Sequence, residues 1–189
     1  MKKLSVKATV SIGMLSGLAY ILMLLNFPLP PFPNFLMIDF SDIPALIAAL
    51  IFGPLAGVLV ELFKNILNYF ATGSATGVPV GHIANFVAGV LFVLPVYFLY
   101  IKLKSKKGMT ISLVIGTIIM AIMMSVLNYF VILPAYTFFL HSPAMSTDAT
   151  YKMVTTAILP FNLAKGIIMS FIFLLLFFKM QPWIAKQSA

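Results

Sequence analysis

Four stretches of this chain, residues 8–25, 83–101, 110–133 and 158–178, are almost unbroken runs of apolar side chains. A helix rises 1.5 Å per residue, so about 20 such residues cover the roughly 30 Å of hydrocarbon in a bilayer. In lipid the backbone must satisfy its own hydrogen bonds, which leaves helices or closed barrels, and continuous apolar runs of this length select helices. Composition agrees: 62% of the 189 residues are hydrophobic and 8% are charged, with a mean hydropathy of +1.10. No room is left for a soluble catalytic domain of about 100–150 residues.

A fifth apolar region, residues 43–70, is too long for one upright span, is broken by Gly53-Pro54 and carries Glu61 and Lys64. One tilted, kinked helix and two short helices both fit it. The basic residues decide, because all twelve are lysines standing at the ends of apolar runs or inside them, and positive charge collects on the cytoplasmic side. Lys2, Lys3 and Lys7 put the N-terminus inside and the loop over residues 27–40 outside. A single crossing by 43–70 would deliver Lys102, Lys104, Lys106 and Lys107 to the outside, whereas two crossings return them to the cytoplasm, followed by Lys179 and Lys186. The expectation is therefore an all-α membrane protein of six transmembrane helices, one domain over residues 1–189, with N- and C-termini cytoplasmic and nine of the twelve lysines inside. Asp39, Asp42 and Asp148 are then expected outside. The first run is read as an uncleaved helix, since it is long and no small-x-small cleavage site follows. The helix over 43–52 would be only about 15 Å long and must be buried among its neighbours or lie where the protein is thin.

Between the first two helices, Pro28, Pro30, Pro31 and Pro33 forbid helix. Phe27, Leu29, Phe32, Phe35 and Leu36 would be poorly solvated in an open loop, so an extended, proline-rich lid loop is expected, folded back over something. Ser41 or Asp42 reads as the N-cap of the following helix, with Pro44 in its first turn.

Ionisable groups inside a membrane cost about 2.5–3.5 kcal/mol each, so they need partners or a role. Glu61, Lys64, Asn65 and Asn68 fall on one face of a helix; His82 with Asn85 and Asn162 with Lys165 form i, i+3 pairs, and Asn128 stands alone. In the six-helix arrangement all of these lie near the outer ends of their helices. That convergence suggests a polar pocket opening outward beneath the proline-rich loop, closed below by apolar packing, rather than a channel. Glu61 and Lys64 can equally neutralise each other, and asparagines can simply tie helices together. Lys165 has no acid at i±3 or i±4 and needs a partner elsewhere. Gly13-x-x-x-Gly17, flanked by Ser16 and Ala19, gives the first helix a face of small residues for close helix contact, within the bundle or with a partner. The absence of cysteine and of any metal-ligand cluster, P-loop, H-E-x-x-H or G-x-S-x-G motif removes the usual parts of an enzyme. With Glu61 read as the one acid within a span, ion-coupled transport is poorly equipped.

Particular stretches carry a family resemblance. Ile38-Asp39-Phe40-Ser41-Asp42-Ile43-Pro44-Ala45-Leu46-Ile47, Phe52-Gly53-Pro54-Leu55-Ala56-Gly57 and Asn128-Tyr129-Phe130-Val131-Ile132-Leu133-Pro134 resemble the substrate-binding S components of energy-coupling factor (ECF) transporters. Leu159-Pro160-Phe161-Asn162-Leu163-Ala164-Lys165-Gly166 is similar to the riboflavin-specific branch of that family. The resemblance implies riboflavin capture from outside and uptake across the cell membrane. It also implies partnership with a membrane-embedded T component and two ABC-type ATPases, so that ATP is used only by partner subunits and this chain has no cofactor of its own. Docking of the T component would fall on the small-residue face at Gly13, Ser16 and Gly17. For a flavin, Asn128, Asn162 and Lys165 suit the pyrimidine edge, whose donors and acceptors alternate. Phe40, Tyr129, Tyr136 and Phe161 suit the ring faces, and Glu61 and Asn85 the ribityl chain. Capture of another vitamin, or a non-transport membrane scaffold, are the competing expectations.

Overall fold

The computed structural model describes residues 5–74 and 76–187, with side chains to residue 181. Helical runs occupy Val6–Leu24 (α1), Asp42–Phe52 (α2), Pro54–Thr72 (α3), Val80–Leu103 (α4), Lys106–Phe139 (α5) and Thr147–Gln181 (α6), the last continuing to Gln187. Of these, α1, α4, α5 and α6 are long and apolar enough to cross a membrane.

The break between α2 and α3 falls at Gly53-Pro54. Gly53 takes φ +94°, a left-handed conformation that costs a glycine nothing, and Pro54 opens α3 where its missing N–H is harmless. The short α2 is about 16 Å long at 1.5 Å per residue, and nearly all of it is buried. It stands at the centre of the bundle against α1, α3, α4 and α6, while α1, α3, α4, α5 and α6 follow one another around it. The burial anticipated for so short a helix is thus supplied by its neighbours.

Two helices run further than the apolar runs indicate. The apolar runs 110–133 and 158–178 stop or start beside Pro134 and Pro160, and α5 and α6 continue through both prolines. Each proline follows a π-turn, Asn128–Ile132 in α5 and Val154–Ile158 in α6. The wider turn closes with Leu133 N donating to Asn128 O and Leu159 N donating to Val154 O. One residue later comes the proline that has no N–H to give, so the wide turn absorbs the local mismatch without ending the helix. Ser146 caps the start of α6, its hydroxyl accepting from Ala149 N at 3.2 Å.

The distribution of side chains is that of a membrane bundle. On α3 the buried stripe is Ala56, Gly57, Val60, Glu61, Lys64, Asn65 and Asn68, and the exposed face carries Leu55, Leu62, Phe63, Ile66, Leu67 and Phe70. Polar residues point in and apolar residues out, the reverse of a soluble amphipathic helix. An apolar core of Ala45, Leu46, Ala49, Phe92, Val93, Leu113, Met120 and Phe173 fills the interior.

The proline-rich loop departs from a free extended strap. It is pinned by a two-residue antiparallel ladder pairing Phe27 with Ile38 and Pro28 with Met37, and Phe32 meets the ring of Phe161 edge-on at 5.6 Å. Because Gly53 alone links α2 and α3 in a left-handed conformation, Gly53→Ala is expected to cost about 1–2 kcal/mol. A lowered Tm in detergent, set against an unchanged Gly13→Ala control with open space around its Cβ, checks this.

Candidate functional site

Where α2 begins, three carboxylates and two ammonium groups meet inside the protein. Asp39, Asp42, Glu61, Lys64 and Lys165 are 2%, 1%, 0%, 0% and 4% exposed. Lys64 Nζ donates to Asp42 Oδ1 at 2.5 Å and to Ser41 Oγ at 2.7 Å, and lies 2.7 Å from Glu61 Oε2 as an ion pair, neither Glu61 oxygen having a hydrogen-bond partner among the described residues. Asp39 Oδ1 accepts from both the backbone N–H and the hydroxyl of Ser41. The second oxygens of the two aspartates, Asp39 Oδ2 and Asp42 Oδ2, each face Lys165 Nζ at 3.6 Å. That distance balances charge without forming a hydrogen bond, so the ammonium hydrogens of Lys165 stay available.

Asp39 and Asp42, expected on the outer side, are buried within the protein beside Glu61, Lys64 and Lys165, so Glu61 is not the one acid packed among the helices. Lys165 has no acid close to it on its own helix, and Asp39 and Asp42 supply the opposing charge from the loop and α2. Ser41, expected to cap α2, makes no capping bond; its hydroxyl is taken by Asp39 and Lys64 instead. Glu61 reaches its place because Gly89 on α4 has no side chain: a Cβ there would sit 2.1 Å from Glu61 Oε2.

Beside the cluster lies a cavity of about 250 Å³. The polar side chains on its wall include Asn26, Asp39, His82, Asn85, Asn128, Asn162 and Lys165. Apolar and aromatic lining comes from Met23, Phe35, Leu36, Met37, Met124, Ile132, Leu133, Tyr136 and Phe161. A mostly apolar recess with few convergent polar groups is the usual form of a small-molecule site. Asn128 and Asn162 each donate one amide hydrogen to the carbonyl four residues back, Met124 O and Ile158 O, both at 2.8 Å. Each keeps an acceptor oxygen and a second amide hydrogen for a ligand. Opposite them, Asn85 Nδ2 donates to Asp39 Oδ2 at 3.4 Å and Asn85 Oδ1 accepts from Asn65 at 3.3 Å, while His82 Nε2 pairs with Asn68 Oδ1 at 2.9 Å.

Of the residues singled out for a ligand, Asn85, Asn128, Tyr136, Phe161, Asn162 and Lys165 share this cavity. Glu61, Phe40 and Tyr129 are not on its wall. Glu61 sits behind it on Lys64. Phe40 packs on the core with its ring 6.2 Å from Phe27, and Tyr129 packs beside Leu133, Val154 and Ile158 and lines a neighbouring recess. On α1, Ser16 is buried and donates to Ile12 O at 2.7 Å, whereas Gly13 and Gly17 have open space where a Cβ would stand. Asp39 and His82 are wall residues not picked out as ligand contacts from the residue pattern. The signal for Asp39 is the unpaired Lys165: once Glu61 is assigned to Lys64, the acids left for it are Asp39, Asp42 and Asp148.

Comparison with known proteins follows the same chain length. The family model described as ECF transporter, substrate-specific component, matches residues 7–177. The riboflavin transporter FmnP of Bacillus subtilis is 56% identical over 186 residues, covering 98% of each chain. The riboflavin transporter RibU of Staphylococcus aureus is 40% identical over 180 residues, covering 95% of this chain and 93% of that one. A solved structure of the S component of a bacterial ECF transporter superposes with a TM-score of 0.79 at 41% identity, covering 94% of this chain and 97% of the other.

The close approach of Glu61 to α4 makes Gly89 a sensitive position. Gly89→Ala must displace the carboxylate from Lys64, and breaking a buried ion pair costs about 3–5 kcal/mol. A much larger fall in Tm than for Gly13→Ala is the expected result.

Proposed function

We propose, from the premise that this chain belongs to the family of ECF transporter substrate-specific components, that it captures riboflavin and serves its uptake into the cell. It is a membrane transport component and not an enzyme. The observation that carries the ligand assignment is the cavity that gathers Asn128, Asn162 and Lys165 on one wall with Phe161 and Tyr136. A flavin has a flat apolar body and one edge of alternating donors and acceptors. Two amides and an ammonium match that edge, aromatic and methionine side chains suit the ring, and Asn85, His82 and Asp39 supply polar partners for a hydroxylated chain. That relatives at 56% and 40% identity are riboflavin transporters supports the same ligand.

In this reading the whole of residues 1–189 acts as one binding unit whose six helices cross the membrane, with both termini in the cytoplasm and the cavity open to the outside. The α4–α5 turn carries Lys102, Lys104, Lys106 and Lys107, whereas the cavity is built from the opposite ends of those helices, Gly81–Ala88 and Met124–Tyr136. The positive-inside rule then places the lysines in the cytoplasm and the cavity outward. The loop of residues 27–40, which contributes Phe35, Leu36, Met37 and Asp39 to the wall, acts as the lid. The energy for uptake comes from partners, a membrane-embedded T component and two ABC-type ATPases. The open surface at Gly13 and Gly17 on α1 is the proposed docking face for the T component, with Ser16 supporting it from within.

Riboflavin fluorescence is quenched when the ring stacks in a protein, so titrating purified chain in detergent reads binding directly. One-to-one, sub-micromolar binding is expected, with Asn128→Ala, Asn162→Ala and Lys165→Ala each weakening it by about tenfold or more. Affinities unchanged in all three variants would sink the assignment of this wall to the flavin edge.

A further inference from the structure

We propose that Lys64, which does not line the cavity, is a positioning residue for ligand binding and acts through Asp42 and Ser41–Asp39 on Lys165. This rests on the riboflavin reading of the cavity.

Neutralising Glu61 needs one contact, yet Lys64 makes three. Of the other two, one goes to Asp42, which faces Lys165, and one to Ser41, whose hydroxyl donates to the second such carboxylate, Asp39. Asp42 is divided, Oδ1 on Lys64 at 2.5 Å and Oδ2 toward Lys165 at 3.6 Å. Asp39 is divided in the same way, Oδ1 held by Ser41, whose hydroxyl accepts from Lys64 at 2.7 Å, and Oδ2 toward Lys165 at 3.6 Å. In both carboxylates one oxygen is tied on the Lys64 side and the other faces Lys165, Asp39 Oδ2 also accepting from Asn85 Nδ2 at 3.4 Å.

The consequence follows from charge. Three carboxylates share two ammonium groups in this cluster. Without Lys64, Asp39, Asp42 and Glu61 would have Lys165 as the one cation of the cluster, and attraction in a poorly screened interior is strong. Lys165 Nζ would close from 3.6 Å to direct hydrogen-bond distance on the aspartates and spend on them the hydrogens it offers the cavity. Lys64 thus keeps Lys165 charge-balanced but unspent, and sets the direction from which it meets a ligand.

A double-mutant cycle on the full chain in detergent tests this, with riboflavin as probe. Lys64→Met is expected to weaken binding about ten- to a hundredfold. In a Lys165→Met background the same change is expected to cost less than about twofold, because the group it acts through is gone. The visible absorption band of bound riboflavin in Lys64→Met should also move toward that in Lys165→Met, a shift that general loosening of the bundle does not produce. Losses that multiply, or a Lys64→Met affinity within about twofold of wild type, overturn the proposal. If Lys64→Met does not fold, Asp42→Asn keeps the Lys64–Glu61 pair and must show the same non-additivity with Lys165→Met; independence of the two overturns it as well. A wild-type chain that binds no riboflavin instead overturns the parent reading, and this one with it.

Discussion

The buried cluster of Asp39, Asp42, Glu61, Lys64 and Lys165 is the constraint from which the rest of the architecture follows. Each of these groups alone would cost several kcal/mol to remove from water. They are tolerable only together, and they come from the end of the loop, α2, α3 and α6. None of those elements can settle in its place without the others. Helix α2, too short to span the hydrocarbon, is held at the centre by this requirement at its first turn and by apolar contact along the rest of its length.

The same cluster divides the molecule by depth. Apolar packing of Phe92, Val93, Leu113 and Phe173 closes the interior on one side, and the cavity occupies the other. The π-turns belong to this division. Each lies within a few residues of a cavity asparagine, Asn128 at the start of one and Asn162 just past the other. A wide turn re-aims the side chains that follow it relative to a regular helix, so the two Leu-Pro pairs at 133–134 and 159–160 help set the wall that bears the amides. Loop, helix centre and wall are therefore coupled through groups that are expensive to leave unpaired.

Much of this was legible in the residues. The apolar runs marked α1, α4, α5 and α6, the Gly53-Pro54 break separated α2 from α3, and helical spacing identified the inward stripe of α3. Asn85, Asn128, Asn162 and Lys165 were gathered by depth before their contacts were known. What the residues hid has a common physical origin. Asp39 and Asp42 look like loop and cap residues because local sequence carries no sign of a cation far along the chain, 22 residues away for Lys64 and Asp42. Phe40 and Tyr129 are of the right chemical type for a ring face, but which side of the backbone they occupy is set by packing against Phe27 and against Val154 and Ile158. The full lengths of α5 and α6 were hidden because a π-turn, which lets a helix carry on through Pro134 or Pro160, has no composition of its own.

In the proposed function, one wall, built from α5 and α6 and held by the buried charges, meets the edge of a flavin. An experimental structure of the full chain with riboflavin bound tests it most directly. The ring is expected between the loop and the α4–α5–α6 wall, its pyrimidine edge within hydrogen-bond distance of Asn128, Asn162 and Lys165, and Lys64 still on Asp42 and Glu61. A flavin seated in the recess beside Tyr129 and His141, or a Lys165 spent entirely on Asp39 and Asp42 with the ring elsewhere, would contradict it.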